Sequence, residues 1–269
     1  MYMAYWLKEN APRHYNLKFI FANTGEEREE TLCFVDQCDM QWKLGVVWLE
    51  AKVLGARKGT SYTVTDYAGA SRNGEPFEAV IQKYGIPNAA YPHCTRELKL
   101  APITSYMSDN GLKDAWTAIG IRVDEIDRMR GDAAQARLIY PFIQWTTVRK
   151  QEVKEFWESQ PFELGLKEHE GNCKWCWKKS DRKLYTLALD NPDIFDFPKR
   201  MENEYGLAGA NVDGTHRRFF RHHRSAADPL AEAGKANFEK FSERNFTHEP
   251  ELDLGFGCGD TCEAFVEAS

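Results

Sequence analysis

Short apolar runs and amphipathic stretches follow one another through the first fifty residues. Met1, Tyr2, Tyr5 and Trp6 form a stripe at helical spacing that Pro12 ends, which predicts a helix over Met1 to Glu9. The apolar run Leu17-Lys18-Phe19-Ile20-Phe21-Ala22 stops at Asn23-Thr24-Gly25-Glu26-Glu27, and a helical pattern resumes from Glu29 to Trp42. An apolar run that enters a small polar turn and then a helix is how a buried parallel strand delivers a ligand-binding loop. Asn23, Thr24 and Gly25 are therefore candidate ligand-binding residues, placed where helix N-termini offer unpaired N–H groups to anions.

The pattern continues as alternating strands and helices. Lys43 to Glu50 predicts a second buried strand, and Tyr62 to Thr65 a short edge strand within the polar segment from Ala56 to Pro76. Phe77 to Tyr84 predicts a helix, Pro87 to Pro92 a loop leading into His93 to Lys99, and Pro102 to Met107 the start of another helix. Asp114 to Arg122 predicts a third strand ending in a turn. Leu138 to Trp145 leads into a helix over Thr147 to Ser159, with Val148, Val153, Phe156 and Trp157 facing inward. This order predicts an α/β domain with a parallel, doubly wound sheet over residues 1–165. A cysteine-bearing extension over residues 166–269 is expected to fold back on it.

The third turn adds Gly120 and Arg122 to the candidate site. Glycine permits a tight backbone, and a fixed Arg holds phosphate or sulfate through paired charge-assisted hydrogen bonds. The plainer alternative is a surface turn in which Arg122 pairs with Asp124 or Glu125.

Composition narrows the class. With 269 residues, 42% of them hydrophobic, the chain can bury one good core. No apolar run approaches the roughly 18 to 20 residues of a membrane span, and the N-terminus lacks a secretory signal pattern. A soluble, cytoplasmic protein with no membrane partner is expected. Its seven cysteines then point to metal, redox chemistry or plain burial instead of a disulfide framework. The net charge of -6 argues against a dedicated nucleic-acid binder.

The thiols are the sharpest chemical signal. Cys173-Lys174-Trp175-Cys176 has the C-x-x-C spacing that lets two sulfurs approach one metal from a single turn. Cys94, Cys258 and Cys262 are further candidates, giving Cys94, Cys173, Cys176 and Cys262 as a possible four-thiolate set. Zinc and an iron–sulfur cluster both accept four thiolates, and reduced structural cysteines are the alternative to either. Cys33 and Cys38, on one helix, read as buried apolar groups. His93, His169 or His216 could replace one thiolate, although a lone histidine is more often a surface group. The run Thr215 to Ser225 interleaves Arg with Phe, as single-stranded nucleic-acid binders do. A helix that buries Phe219 and Phe220 while its arginines stay solvated is favoured over that reading.

Taken in order, these segments resemble the phosphoadenosine phosphosulfate (PAPS) reductase-like family, in its viral and bacterial branch. The resemblance spans about residues 1–200 and rests on Ala22-Asn23-Thr24-Gly25 with Glu30-Thr31 behind it, and on Cys94-Thr95-x-x-Leu98-Lys99. Gly120-Ile121-Arg122-x-Asp124-Glu125, Pro141-Phe142-Ile143-x-Trp145 and Gly171-Asn172-Cys173-x-x-Cys176 with Lys178 to Arg182 complete it. It implies the adenine nucleotide α-hydrolase-like group, whose Rossmann-like sheet binds ATP or an adenylyl compound such as adenylyl sulfate. By the same resemblance Asn23, Thr24, Gly25 and Arg122 would meet the nucleotide, and Cys94, Cys173 and Cys176 would match the cysteines that hold a four-iron (4Fe-4S) cluster. Oxidoreduction is the family's nominal chemistry, with a thiol electron donor as partner. A reductase attacks the sulfate sulfur with a cysteine near the C-terminus, a part that Cys258 or Cys262 could play. Other members activate a substrate with ATP and release pyrophosphate in sulfur transfer or nucleic-acid modification.

The chain departs from the family at its start. The family's Ser-Gly-Gly-x-x-Ser loop, which cradles phosphate or sulfate, has no counterpart here. Met1 to Leu7 looks like the helix that follows that loop, which places the family's first strand upstream of residue 1. A chain complete as written would lack a central strand, leave a sheet edge unpaired and be better suited to a metal-stabilised binding module than to catalysis.

Overall fold

The structure, a computed structural model, describes residues 1–55, 59–209, 214–235, 238–242 and, for its backbone, the strand 262–268. Among the described residues it is a mixed α/β fold around one six-stranded sheet. The strands are β1 (Tyr15–Asn23), β2 (Val47–Val53), β3 (Thr60–Thr65), β4 (Trp116–Ala118), β5 (Leu138–Ile139) and β6 (Cys262–Ala268), in the order β3-β2-β1-β6-β4-β5. β1 pairs parallel with β2 from Ile20 opposite Val47 to Asn23 opposite Glu50, and β4 pairs parallel with β5. β3 is antiparallel to β2, and β6 is antiparallel to both β1 and β4. The sheet is therefore mixed, not wholly parallel.

β1 explains why its sequence reads as unbroken apolar residues. Phe19 and Phe21 face one way, toward α1 (Tyr2–Asn10) and α2 (Glu29–Trp42). Ile20 and Ala22 face the other way, toward α4 (Ala101–Asp109). Helices thus cover both faces, and the strand needs apolar residues at consecutive positions. The expected gap beside β1 is filled: β6 lies between β1 and β4, with Tyr15 opposite Ala268 and Phe21 opposite Cys262.

Three expected boundaries move for local reasons. β2 begins at Val47, because Lys43 and Gly45 adopt left-handed φ values of 50° and 68°. The Asp39 carboxylate accepts the N–H groups of Gly45 and Val46 at 2.7 and 3.0 Å, which fixes this turn. The third strand shrinks to Trp116–Ala118, after which Gly120 passes beside Met3 and the chain winds into a 3-10 turn over Val123–Arg128. The helix expected from Thr147 starts at Lys150 as α6 (Lys150–Glu158), following α5 (Pro141–Gln144), with Val148 buried in the connection.

Residues beyond the sheet pack on α3 (Glu75–Tyr84) and on a π-helical turn over Arg96–Leu100. This second core joins Phe77, Ile81, Cys94 and Leu98 to Trp175, Phe195 and Phe219. It also includes α7 (Asp181–Asp190), α8 (Asp196–Tyr205) and α9 (Asp228–Ala233). Among the described residues no helix is long and apolar enough to cross a membrane.

Candidate functional site

β1 ends in Asn23, and its last side chains are used to build the turn. Asn23 Nδ2 donates to Glu50 Oε1 at 2.7 Å and to the Ser71 carbonyl at 2.9 Å, while its Oδ1 accepts the Gly25 N–H at 3.1 Å. Thr24 donates from both N and Oγ1 to Glu27 Oε2, at 2.8 and 2.7 Å. Gly25 has φ +81°, and a Cβ there would stand 3.0 Å from the Gly74 backbone, so the position requires glycine. All three residues are buried, and the polar atoms of Asn23 and Thr24 are engaged within the chain.

Beside this turn lies a small, largely apolar cavity with an open mouth. It is lined by Thr24, Cys94, Lys99, Cys173, Cys176 and by aromatic walls that include Trp175 and Trp177. The structure thus brings Cys94 to the C-x-x-C pair across 79 residues of sequence (173 − 94). The link to β1 is direct: Thr24 Oγ1 lies 3.5 Å from Cys173 Sγ. The C-x-x-C backbone forms a tight turn, with Cys176 N–H donating to the Cys173 carbonyl at 3.1 Å.

Buried charges surround the thiols. Lys179 Nζ donates to the Gly171 carbonyl and, at 3.4 Å, to that of Cys173. Burial pulls its ammonium below the ordinary lysine value, an effect opposed by the nearby Cys176 and Cys173. Lys178 Nζ reaches Thr95 Oγ1 at 3.4 Å, and Lys99 Nζ lies 4.0 Å from Glu27 Oε1. Glu26 is raised to about 7, chiefly by burial, with Lys174 and a hydrogen bond from Trp175 pulling the other way. Sequence assigns none of these groups to the site, although Lys99, Lys178 and Lys179 lie within the motifs that carry the resemblance. The available signal was a Glu-Glu pair directly after an apolar strand and a Lys-Lys pair directly after the C-x-x-C motif.

Other candidates fall elsewhere. Arg122 pairs with Asp124 and Glu125, each at 3.2 Å, in the turn after β4. Cys258 lies outside the described residues; Cys262 begins β6 opposite Phe21, and its side chain is outside the description. Cys38 is fully buried in α2, with Cys33 half-buried on the same helix. His93 Nε2 meets the Gly85 carbonyl at 3.1 Å; His169 is buried, and among the described residues neither of its ring nitrogens has a hydrogen-bond partner. Burial holds both below the usual histidine value. His216 sits against Gly206.

The basic run corrects an expectation. Residues 215–225 form an extended segment with a bridge between Phe220 and Arg224 and a short 3-10 turn, not a helix. Phe219 and Phe220 are buried as expected, but the arginines are structural ties instead of solvated charges. Arg217 donates to the Tyr84 carbonyl, Arg218 pairs with Glu202, Arg221 donates to the Lys178 carbonyl and Arg224 pairs with Asp181.

The fold and site define an α/β protein with a buried thiol cavity at the carboxyl end of its central parallel strands. No family model matches the chain, and no solved structure matches it. It is similar to the uncharacterized nin region protein ORF290 of Escherichia phage lambda, with 28% identity over 270 residues that cover 97% of this chain and 90% of that protein.

Proposed function

We propose that this chain is a PAPS reductase-like protein with a Rossmann-like nucleotide fold, in which Cys94, Cys173 and Cys176 hold an iron–sulfur cluster beside a bound adenylyl compound. The observation that carries this reading is the convergence of three thiols, drawn from two distant segments, on one cavity next to the β1 turn. Soft thiolates in a largely apolar cavity suit iron–sulfur or zinc ligation. Among the described residues no group of three or more Cys, His, Asp or Glu side chains is arranged to hold a metal ion, and the three cavity thiols are one short of the four that a zinc site or a cluster takes. When bound, such a cluster supplies a one-electron redox centre. The protein's own residues do the rest: Thr24 and Trp175 fix the cysteine turn, and Phe77, Leu98 and Trp177 exclude water. ATP-dependent sulfur transfer, with release of pyrophosphate, uses the same fold and thiol set.

A second reading, a binding module without turnover, is supported by the internal hydrogen bonds that occupy Asn23 and Thr24. Titration separates binding from its absence. Because Trp175 and Trp177 line the cavity, ATP or adenylyl sulfate bound beside it is expected to give a saturable change in tryptophan emission, with inorganic sulfate giving none. No response to either adenylyl compound, with calorimetry also silent, would remove the nucleotide reading.

A further inference from the structure

We propose that Glu26 is the positioning residue of the thiol site: by gripping Trp175 it holds the Cys173–Cys176 turn against the end of β1. Trp175 lies between the two cysteines in sequence and is fully buried. Its Nε1 donates to Glu26 Oε2 at 2.5 Å, and the Lys174 N–H donates to the Glu26 carbonyl at 2.9 Å. One residue of the β1 turn therefore binds both residues enclosed by the C-x-x-C motif, through its side chain and its backbone.

The next residue extends the grip. Glu27 accepts two hydrogen bonds from Thr24, whose hydroxyl meets Cys173, and its other oxygen faces Lys99, five residues after Cys94. Consecutive glutamates thus tie both cysteine-bearing segments to the same strand end. The indole is held laterally by Phe77 and Phe197, stacked at 5.4 and 5.7 Å, and by the edge contact of Phe219 at 4.7 Å. Those contacts fix the plane of the ring, and the hydrogen bond fixes where its N–H points. A carboxyl group in this core is costly to bury, and an aliphatic side chain would pack without that cost. Orientation of the cysteine turn is what the acid supplies in return.

This proposal uses the convergence of the thiols and is independent of what they bind. Its test is residue-resolved alkylation by N-ethylmaleimide of the full chain, chelated and reduced, with mass-spectrometric readout. At pH 8, where the Glu26 carboxyl is ionised, Cys173 and Cys176 in Glu26→Ala are expected to react about 10- to 100-fold faster than in the parent, the range that follows from losing a charge-assisted buried hydrogen bond. Cys38, fully buried on α2, should stay slow and so report an intact fold. Glu26→Gln keeps an oxygen acceptor and is expected to remain within about threefold of the parent, since a neutral hydrogen bond retains part of the interaction. If Cys38 accelerates equally in Glu26→Ala, that variant has unfolded and Trp175→Phe decides, because it removes the N–H donor, together with the five-membered ring, while leaving an aromatic ring among Phe77, Phe197 and Phe219. Selective acceleration of Cys173 and Cys176 in Trp175→Phe supports the proposal. Parent-like protection in Trp175→Phe overturns it, as does parent-like protection in a folded Glu26→Ala. Since iron takes no part in the readout, this result stands or falls apart from the cluster reading.

Discussion

Replacing Glu202 with Ala is expected to cost about 3–5 kcal/mol of folding stability, whereas Arg218→Ala should cost about 1 kcal/mol or less. The contrast follows from what the carboxylate holds. Glu202 Oε1 accepts the Phe219 N–H at 3.0 Å, and Oε2 accepts the Ala226 N–H at 2.9 Å as well as Arg218 Nη1 at 3.2 Å. Phe219 and Ala226 are fully buried, so truncation leaves two backbone donors with no water to replace the acid. Arg218 keeps 36% of its side chain exposed and can return to solvent. Urea unfolding of both variants checks the ratio. Equal losses would mean that the ion pair, not the backbone bonding, is what Glu202 contributes.

Glu26 should leave a large signature in the pH dependence of stability. Its carboxyl titrates at about 7 in the folded chain against a reference of 4.5, so between those values the folded state binds the extra proton. The stability associated with its neutral form is fully present below the unfolded value and is lost as pH rises through about 7. The shift corresponds to roughly 3 kcal/mol between pH 4.5 and pH 8. Lys174, Glu27 and Glu75 are the charged groups acting on it, and Trp175 is its hydrogen-bond donor. Glu202 is displaced in the same direction and His93 and His169 are lowered, so the parent profile is a sum. The decisive quantity is the difference between parent and Glu26→Gln in urea unfolding at pH 5 and pH 8. The variant should gain on the parent as pH rises, and parallel profiles would place the ionisation of Glu26 in its ordinary range.

The parts of this fold that were legible in sequence are those where local pattern and tertiary demand agree. β1 needs apolar residues on both faces, and α2 spans the same Glu29–Trp42 that its pattern marks. Sequence extends the third strand too far because Ile119 and Ile121, on either side of Gly120, carry its apolar character past Ala118, where β4 ends. No local pattern marks β6: its place between β1 and β4 depends on pairing across the whole chain, which no local period encodes. Residues 215–225 suggest a helix because Arg and Phe in that order suit an amphipathic surface. Their partners, Glu202, Asp181 and the carbonyls of Tyr84 and Lys178, come from distant segments and hold the chain extended.

The site divides in the same way. The C-x-x-C spacing is local and marks Cys173 and Cys176 directly, whereas the approach of Cys94 depends on how the π-helical turn packs against residues 171–178. Asn23 and Thr24 lie at the end of β1, as the apolar run before them implies, but their partners, Glu50, Ser71 and Glu27, are not readable from a polar turn. Glu26 and Glu27 look like ordinary surface acids beside a glycine turn. Burial by the cysteine segment is what changes their meaning.

The thiol site is the centre of this account, and anaerobic purification with iron, sulfide and zinc quantified in the same sample tests it most directly. The account predicts absorption near 400 nm with about four irons and four sulfides per chain. Both should be lost in Cys173→Ser and in Cys94→Ser, while Cys38→Ser retains them. Stoichiometric zinc, no metal at all, or iron that survives loss of Cys94 would contradict it.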